Sequence, residues 1–146
     1  MYTAVDIAKY FASLNEELKE YQIQRLVYHS YCWYIYEFNY NKYEIEHKLF
    51  NEQPIITKKG PIFLSIQKEF KRLKKFSKSK NYLIDDDYQC KLDNKTRSLL
   101  IRNYKIYALD DENKLSSMSY VDEICRNTKK KRKVSDLEIF EYCDSI

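Results

Sequence analysis

The chain has 146 residues, a formal net charge of +4, 16% aromatic residues with 15 tyrosines, and 1 glycine. That length suits one domain with one core, and so few glycines and prolines argue against an all-β chain built on many tight turns and favour helices. No apolar run approaches the roughly 18 residues of a membrane span, and no signal peptide precedes the cysteines Cys32, Cys90, Cys125 and Cys143, which show no C-x-x-C spacing. The expected state is therefore a cytoplasmic protein with reduced thiols, Cys32 and Cys143 acting as small hydrophobes in helical patterns.

In chain order, Thr3 with Asp6 predicts a helix start, followed by a stripe at Val5, Ile7, Ala8, Phe11 and Leu14. Asn15 and the charged Glu16–Glu20 run end it or bridge to the next element. A second helix is predicted from about Tyr21 to Phe38, with Ile23, Leu26, Val27, Ser30, Tyr31, Tyr34 and Ile35 at helical spacing. Trp33 and Tyr36 fall on its flanks. Apolar nearly all round, it should be the central buried helix. Between Asn39 and Lys59 the pattern predicts irregular structure with a short strand or hairpin.

A third helix is predicted after Gly60-Pro61, with Pro61 in its first turn, where a missing N–H costs nothing. Its buried stripe is Ile62, Ile66, Phe70 and Leu73, and Lys68, Lys71, Arg72 and Lys75 line the opposite face. Residues 77–90 read as a loop. Asp93 caps a fourth helix over about 94–108, and Ser116 or Ser117 starts a fifth through Cys125. The Lys129–Lys133 run reads as a loop, and Ser135 with Glu138 forms a capping box for a sixth. The expected fold is a compact, mostly α bundle of about six helices with a small irregular or β element between helices two and three.

The charge is unevenly placed. Residues 56–80 hold nine bases against the single acid Glu69, whereas residues 1–55 hold eight acids and five bases. The basic face of helix three has three readings: a solvated face, a docking face for an acidic partner, or a phosphate-contacting surface that gains from counterion release. No recognition-helix or aromatic RNA-binding motif raises the last. The segment Lys129–Val134 matches a nuclear-localisation signal in letters and otherwise reads as a loop. His29 is expected as a buried helix residue and His47 as an exposed connector residue. Neither lies in a metal-binding spacing, and no Ser or Cys stands in a nucleophile setting. No cofactor and no metal site is therefore expected, and the chain reads as a non-enzyme.

One glycine cannot build a phosphate-cradling loop. Gly60 instead suggests a backbone role: a tight turn or a close approach.

Ile23-Gln24-Arg25-Leu26-Val27-Tyr28 with Trp33-Tyr34, then Lys59-Gly60-Pro61-Ile62, then Glu69-Phe70-Lys71, resembles the Panacea domain, an antitoxin-associated family of bacterial and phage genomes. The segment Val5 to Phe11 is similar to that family's first helix, and Val134 to Tyr142 to its closing one. The chain departs from the family in carrying Ile56-Thr57-Lys58-Lys59 before Gly-Pro. The resemblance covers nearly the whole chain in order and implies one Panacea-like domain over residues 1–146, with Tyr28, Trp33, Gly60 and Pro61 as its scaffold motif. It implies a protein-binding module that neutralises a cognate toxin. Lys68, Lys71, Arg72 and Lys75 are the first candidate contacts, with Lys130 and Arg132 second. The alternatives are a phage-encoded inhibitor of a host defence nuclease or a nucleic-acid-binding module.

Overall fold

In the computed structural model, which describes residues 2–58, 60–74, 91–107 and 132–145, helix α1 (Ala4–Leu14) starts where its local chemistry dictates. Thr3 Oγ1 accepts from the Asp6 backbone N–H at 3.1 Å, and the Asp6 carboxylate accepts from the Thr3 N–H at 3.0 Å. Two orphan donors of the first turn are thereby satisfied reciprocally. The helix buries Ala4, Ile7, Ala8, Phe11 and Ala12, while Leu14, expected in the stripe, is 38% exposed.

Helix α2 (Glu20–Phe38) is the beam of the fold. Ile23, Leu26, Val27, Tyr28, Tyr31 and Ile35 are each 0% exposed, and every other described helix is packed along it: α1, α3 (Leu64–Lys74), α4 (Asn94–Tyr107) and the last helix all touch it. A helix buried on most of its circumference has to satisfy its polar groups internally. Ser30 Oγ donates to the Leu26 carbonyl at 2.8 Å and accepts from Asn103 Nδ2 at 3.2 Å, which joins α2 to α4 (Asn94–Tyr107). Helix α4 begins at Asp93, whose carboxylate accepts from the Thr96 N–H at 2.7 Å, as its sequence predicts.

The small element after α2 is a sheet. Strand β1 (Ile55–Thr57) pairs antiparallel with β2 (Gly60–Ile62), and on its other side with β3 (Arg132–Lys133), giving the order β2-β1-β3. Two expectations change here. Gly60-Pro61 lies in a strand and not in a first helical turn; α3 (Leu64–Lys74) starts three residues beyond Pro61. Proline is tolerated there because β2 is an edge strand, where a missing donor breaks no ladder bond on the open side. Arg132 and Lys133, expected in a loop, form β3, because β1 offers a free edge that local sequence does not reveal.

The last helix, α5 (Asp136–Ser145), is tied to α2 by its first residue: Tyr31 OH donates to Asp136 Oδ1 at 2.6 Å. Among the described residues five helices and three strands are present, so the fold is mostly helical with a small antiparallel sheet. The helix expected from Ser116 or Ser117 to Cys125, the loop at 77–90 and most of the Lys129–Lys133 run lie outside the described residues.

Candidate functional site

Helix α3 carries the lysines that the sequence nominated, and the fold fixes it at its N-terminus in an unusual way. Phe63, just before the helix, has no side-chain oxygen to cap it. Two other segments supply the partners. Gln24 of α2 accepts from the Phe63 N–H at 2.9 Å and donates to the Phe63 carbonyl at 3.3 Å, both in the interior. Glu52, in the connector, accepts from the Ser65 N–H at 3.0 Å and from the Ser65 hydroxyl. A carboxylate at a helix N-terminus also meets the positive end of the helix dipole. Phe63 itself joins Tyr31 and Phe50 in a cluster with ring centroids 5.0–6.0 Å apart, so the start of α3 is sealed into the core.

Gly60 feeds the chain into this arrangement. Its φ is +121°, a region that side chains rarely adopt, and a Cβ there would lie 3.1 Å from the Arg25 guanidinium. Both facts make glycine the fitting residue. Thr57 Oγ1 donates to the Gly60 carbonyl at 2.8 Å.

With Ile66 and Phe70 buried, α3 leaves Lys68, Lys71, Arg72 and Lys74 exposed. They are not equivalent. Arg72 is held by Glu69 at 2.6 Å, one turn away, and its hydrogen bond holds the Glu69 carboxyl below the usual range. Lys71 and Lys74 lie near Glu20, whose carboxyl is raised by burial and pulled back by those two lysines. Among the described residues Lys68 has no ion pair. Lys71, Arg72 and Lys74 fall in the last turn of α3, where cations complement the carbonyl end of a helix dipole.

The other nominated residues lie elsewhere. Arg132 sits on β3, held by Glu138 through contacts of 2.7 and 3.1 Å. Glu138 thus turns to Arg132, while its backbone N–H donates to the Ser135 hydroxyl oxygen at 3.2 Å. Tyr28 is fully buried and Trp33 half-buried, edge-on to Tyr36 at 5.8 Å. Lys75 and Lys130 lie outside the described residues. The structure therefore does not bring Arg132 together with the α3 lysines.

Among the described residues His29, Cys32 and Cys143 are buried, while His47 is exposed. His29 is fully buried and stacked on Tyr107 at 4.7 Å. Burial, followed by the nearby Arg25 charge, lowers its pKa to about 3, so the ring is neutral at pH 7. The Cys143 thiol is pushed up to about 12, chiefly by burial, and Cys32 is also raised by burial. Such thiols are protonated and packed as hydrophobes. Among the described residues no group of three or more His, Cys, Asp or Glu side chains is placed to hold a metal, and no helix is long and apolar enough to cross a membrane.

A second surface escaped the sequence reading. At the C-terminal end of α2, residues 39–47 form a loop that displays Tyr40, 98% exposed, and Tyr43, 80% exposed. The alternation of Tyr43, Ile45 and His47 was its only trace in the sequence, and that pattern says nothing about which side faces solvent.

No family model, no curated protein and no solved structure matches the chain.

Proposed function

We propose that the chain is a non-enzymatic protein-binding module that neutralises a cognate toxin, built as a compact helical domain of the Panacea type and acting in the cytoplasm. The observation that carries this reading is the construction of α3. Its N-terminus is clamped by Gln24 and Glu52, its inner face is buried through Ile66 and Phe70, and Lys68, Lys71 and Lys74 stand in solvent on what remains. A clamped helix with exposed cations suits an acidic protein surface, because complementary charge speeds encounter and fixes register. The buried His29, Cys32 and Cys143 fit the same reading, since they serve packing. The likeness of the Tyr28, Trp33 and Gly60-Pro61 motifs to the Panacea family supplies the toxin as the partner class.

The test is co-expression of the chain with the gene adjacent to its own. Wild type is expected to relieve growth arrest caused by that gene. A Lys68→Glu/Lys71→Glu variant that melts like wild type is expected to lose the relief. Absence of relief by wild type overturns the toxin reading. Steeply salt-dependent binding to duplex DNA or RNA, in its place, would identify a nucleic-acid module.

A further inference from the structure

The loop at the C-terminal end of α2 is built to hold two tyrosines out in solvent. Asn39, the C-cap of the helix, closes it with one amide. Its Nδ2 donates to the Ile35 and His47 carbonyls, both at 2.8 Å, and its Oδ1 accepts from the Glu46 and His47 N–H groups, both at 2.8 Å. Asn41 folds the tip: its Oδ1 accepts from the Tyr43 N–H at 2.9 Å and the Glu44 N–H at 3.1 Å. Lys42 anchors the tip to α5 through Glu141 at 3.1 Å, and Ile45 packs against the core. This is a preset conformation, so a partner that binds it has little loop entropy to overcome. The fold makes no use of the Tyr40 ring, which is 98% exposed.

Charge identifies the partner. Glu44 and Glu46 are exposed and make no ion pair among the described residues, while the cations around them are engaged. Lys42 holds Glu141, Lys48 holds Asp136 at 3.1 Å, and Arg102 holds Glu37. Lys95 lies over the Phe38 ring at 4.1 Å. The last turn of α2 carries no basic residue, so its carbonyl end adds to the negative potential. The open Tyr40 ring, with Tyr43 carrying Lys42 over its ring at 5.2 Å and so already set up to meet a cation, stands in one loop with two carboxylates; such a set matches arginine best, since a guanidinium stacks on an aromatic ring and pairs with a carboxylate in two-point fashion.

We propose that the 39–47 loop is a docking site for an arginine-bearing segment of another protein, gripped by Tyr40 and Tyr43 and steered by Glu44 and Glu46. The described residues of a second copy offer no open arginine to this site. Among the described residues Arg72, Arg102 and Arg132 are held by Glu69, Glu37 and Glu138, Arg97 donates to the Leu92 carbonyl, and Arg25 lies under Gly60. The site stands on the loop's own geometry and does not depend on a toxin being the partner.

The test uses a fluorescein-labelled Gly-Arg repeat peptide, followed by anisotropy at low salt, with a Gly-Lys repeat as control. The arginine peptide is expected to bind wild type more tightly than the lysine peptide. Tyr40→Ser/Tyr43→Ser should weaken it by about tenfold, since exposed anchors of this kind carry most of an interface's energy. Glu44→Gln/Glu46→Gln should flatten its salt dependence. Amide shifts in labelled wild type should be confined to residues 39–47. Equal binding by the double-serine variant, equal affinity for the lysine peptide, or no binding by wild type overturns the proposal. So does a dimer in sedimentation that Tyr40→Ser/Tyr43→Ser dissolves, because a second copy would then occupy the surface.

Discussion

The two ends of α2 carry opposite surfaces. Near its N-terminus the last turn of α3 brings Lys71 and Lys74 up to Glu20. Past its C-terminus, a further 19 residues along the helix, or about 28 Å at 1.5 Å per residue, the 39–47 loop shows Tyr40 and Tyr43 beside Glu44 and Glu46. The basic end has a structural account as well as a functional one. Arg72 neutralises Glu69, and the last-turn cations complement the α3 dipole. The aromatic end has no such account for Tyr40, because that ring touches nothing the fold needs. A charged helix face is thus weaker grounds for binding than an exposed aromatic held in a fixed loop, since solvated charge costs a protein little and an exposed large ring costs solubility.

The largest way to break this comparison is to release one end and leave the other. Gln24→Leu removes both buried bonds to Phe63; the Phe63 carbonyl keeps the Gln67 N–H at 3.1 Å, but the buried Phe63 N–H loses its partner, so the change should destabilise the chain by about 2 kcal/mol. Amide exchange should rise along α3 before it rises in residues 39–47. Equal rises at both ends in native-state exchange would show that the two are one unit.

The second test strains the shared beam. His29 has a pKa of 6.5 when unfolded and about 3 when folded. Below 6.5 the unfolded chain binds a proton that the folded chain refuses. Stability is therefore full above about pH 7 and falls as pH drops from about 6.5 towards 3, at a slope of up to roughly 1.4 kcal/mol per pH unit. His29→Phe keeps a ring over Tyr107 and should flatten that slope. Urea titrations at a series of pH values measure it, and an unchanged slope would place the acid sensitivity elsewhere.

Two matched changes come next. Gly60→Ala forces a side chain to φ +121° against Arg25, and Asn39→Ala removes the amide that closes the loop. Each should cost about 1 kcal/mol or somewhat more. Gly60→Ala should perturb the β1–β2 hairpin, and Asn39→Ala should loosen residues 40–46. Thermal melts combined with amide shifts separate them. The smallest effect belongs to Tyr40→Ser, which should change stability by less than about 0.5 kcal/mol. A larger loss in a thermal melt would mean that the ring has a partner in the fold.

Much of the helical frame was legible because helix starts are local. Thr3 with Asp6, Asp93 with Thr96 and Ser135 with Glu138 are all bonds across three residues, so the letters that make them are neighbours. The burial of α2 was legible from its apolar circumference, and Gly60 from its rarity. The start of α3 was misplaced because its caps, Gln24 and Glu52, come from 39 and 13 residues away in sequence. Strand β3 was missed for the same reason: a two-residue strand exists only because β1 is there to pair with it.

The sequence by itself determined the mostly helical class, the central helix, three helix starts and the concentration of positive charge on α3. Those depend on short-range periodicity and on hydrogen bonds between near neighbours. The tertiary structure decided that Gly60-Pro61 belongs to an edge strand, that Arg132 and Lys133 form a strand beside β1, and that Gln24 and Glu52 cap the start of α3. Each of these depends on which distant backbone or side chain arrives beside the residue, and pairing across the fold leaves no period in the chain to read.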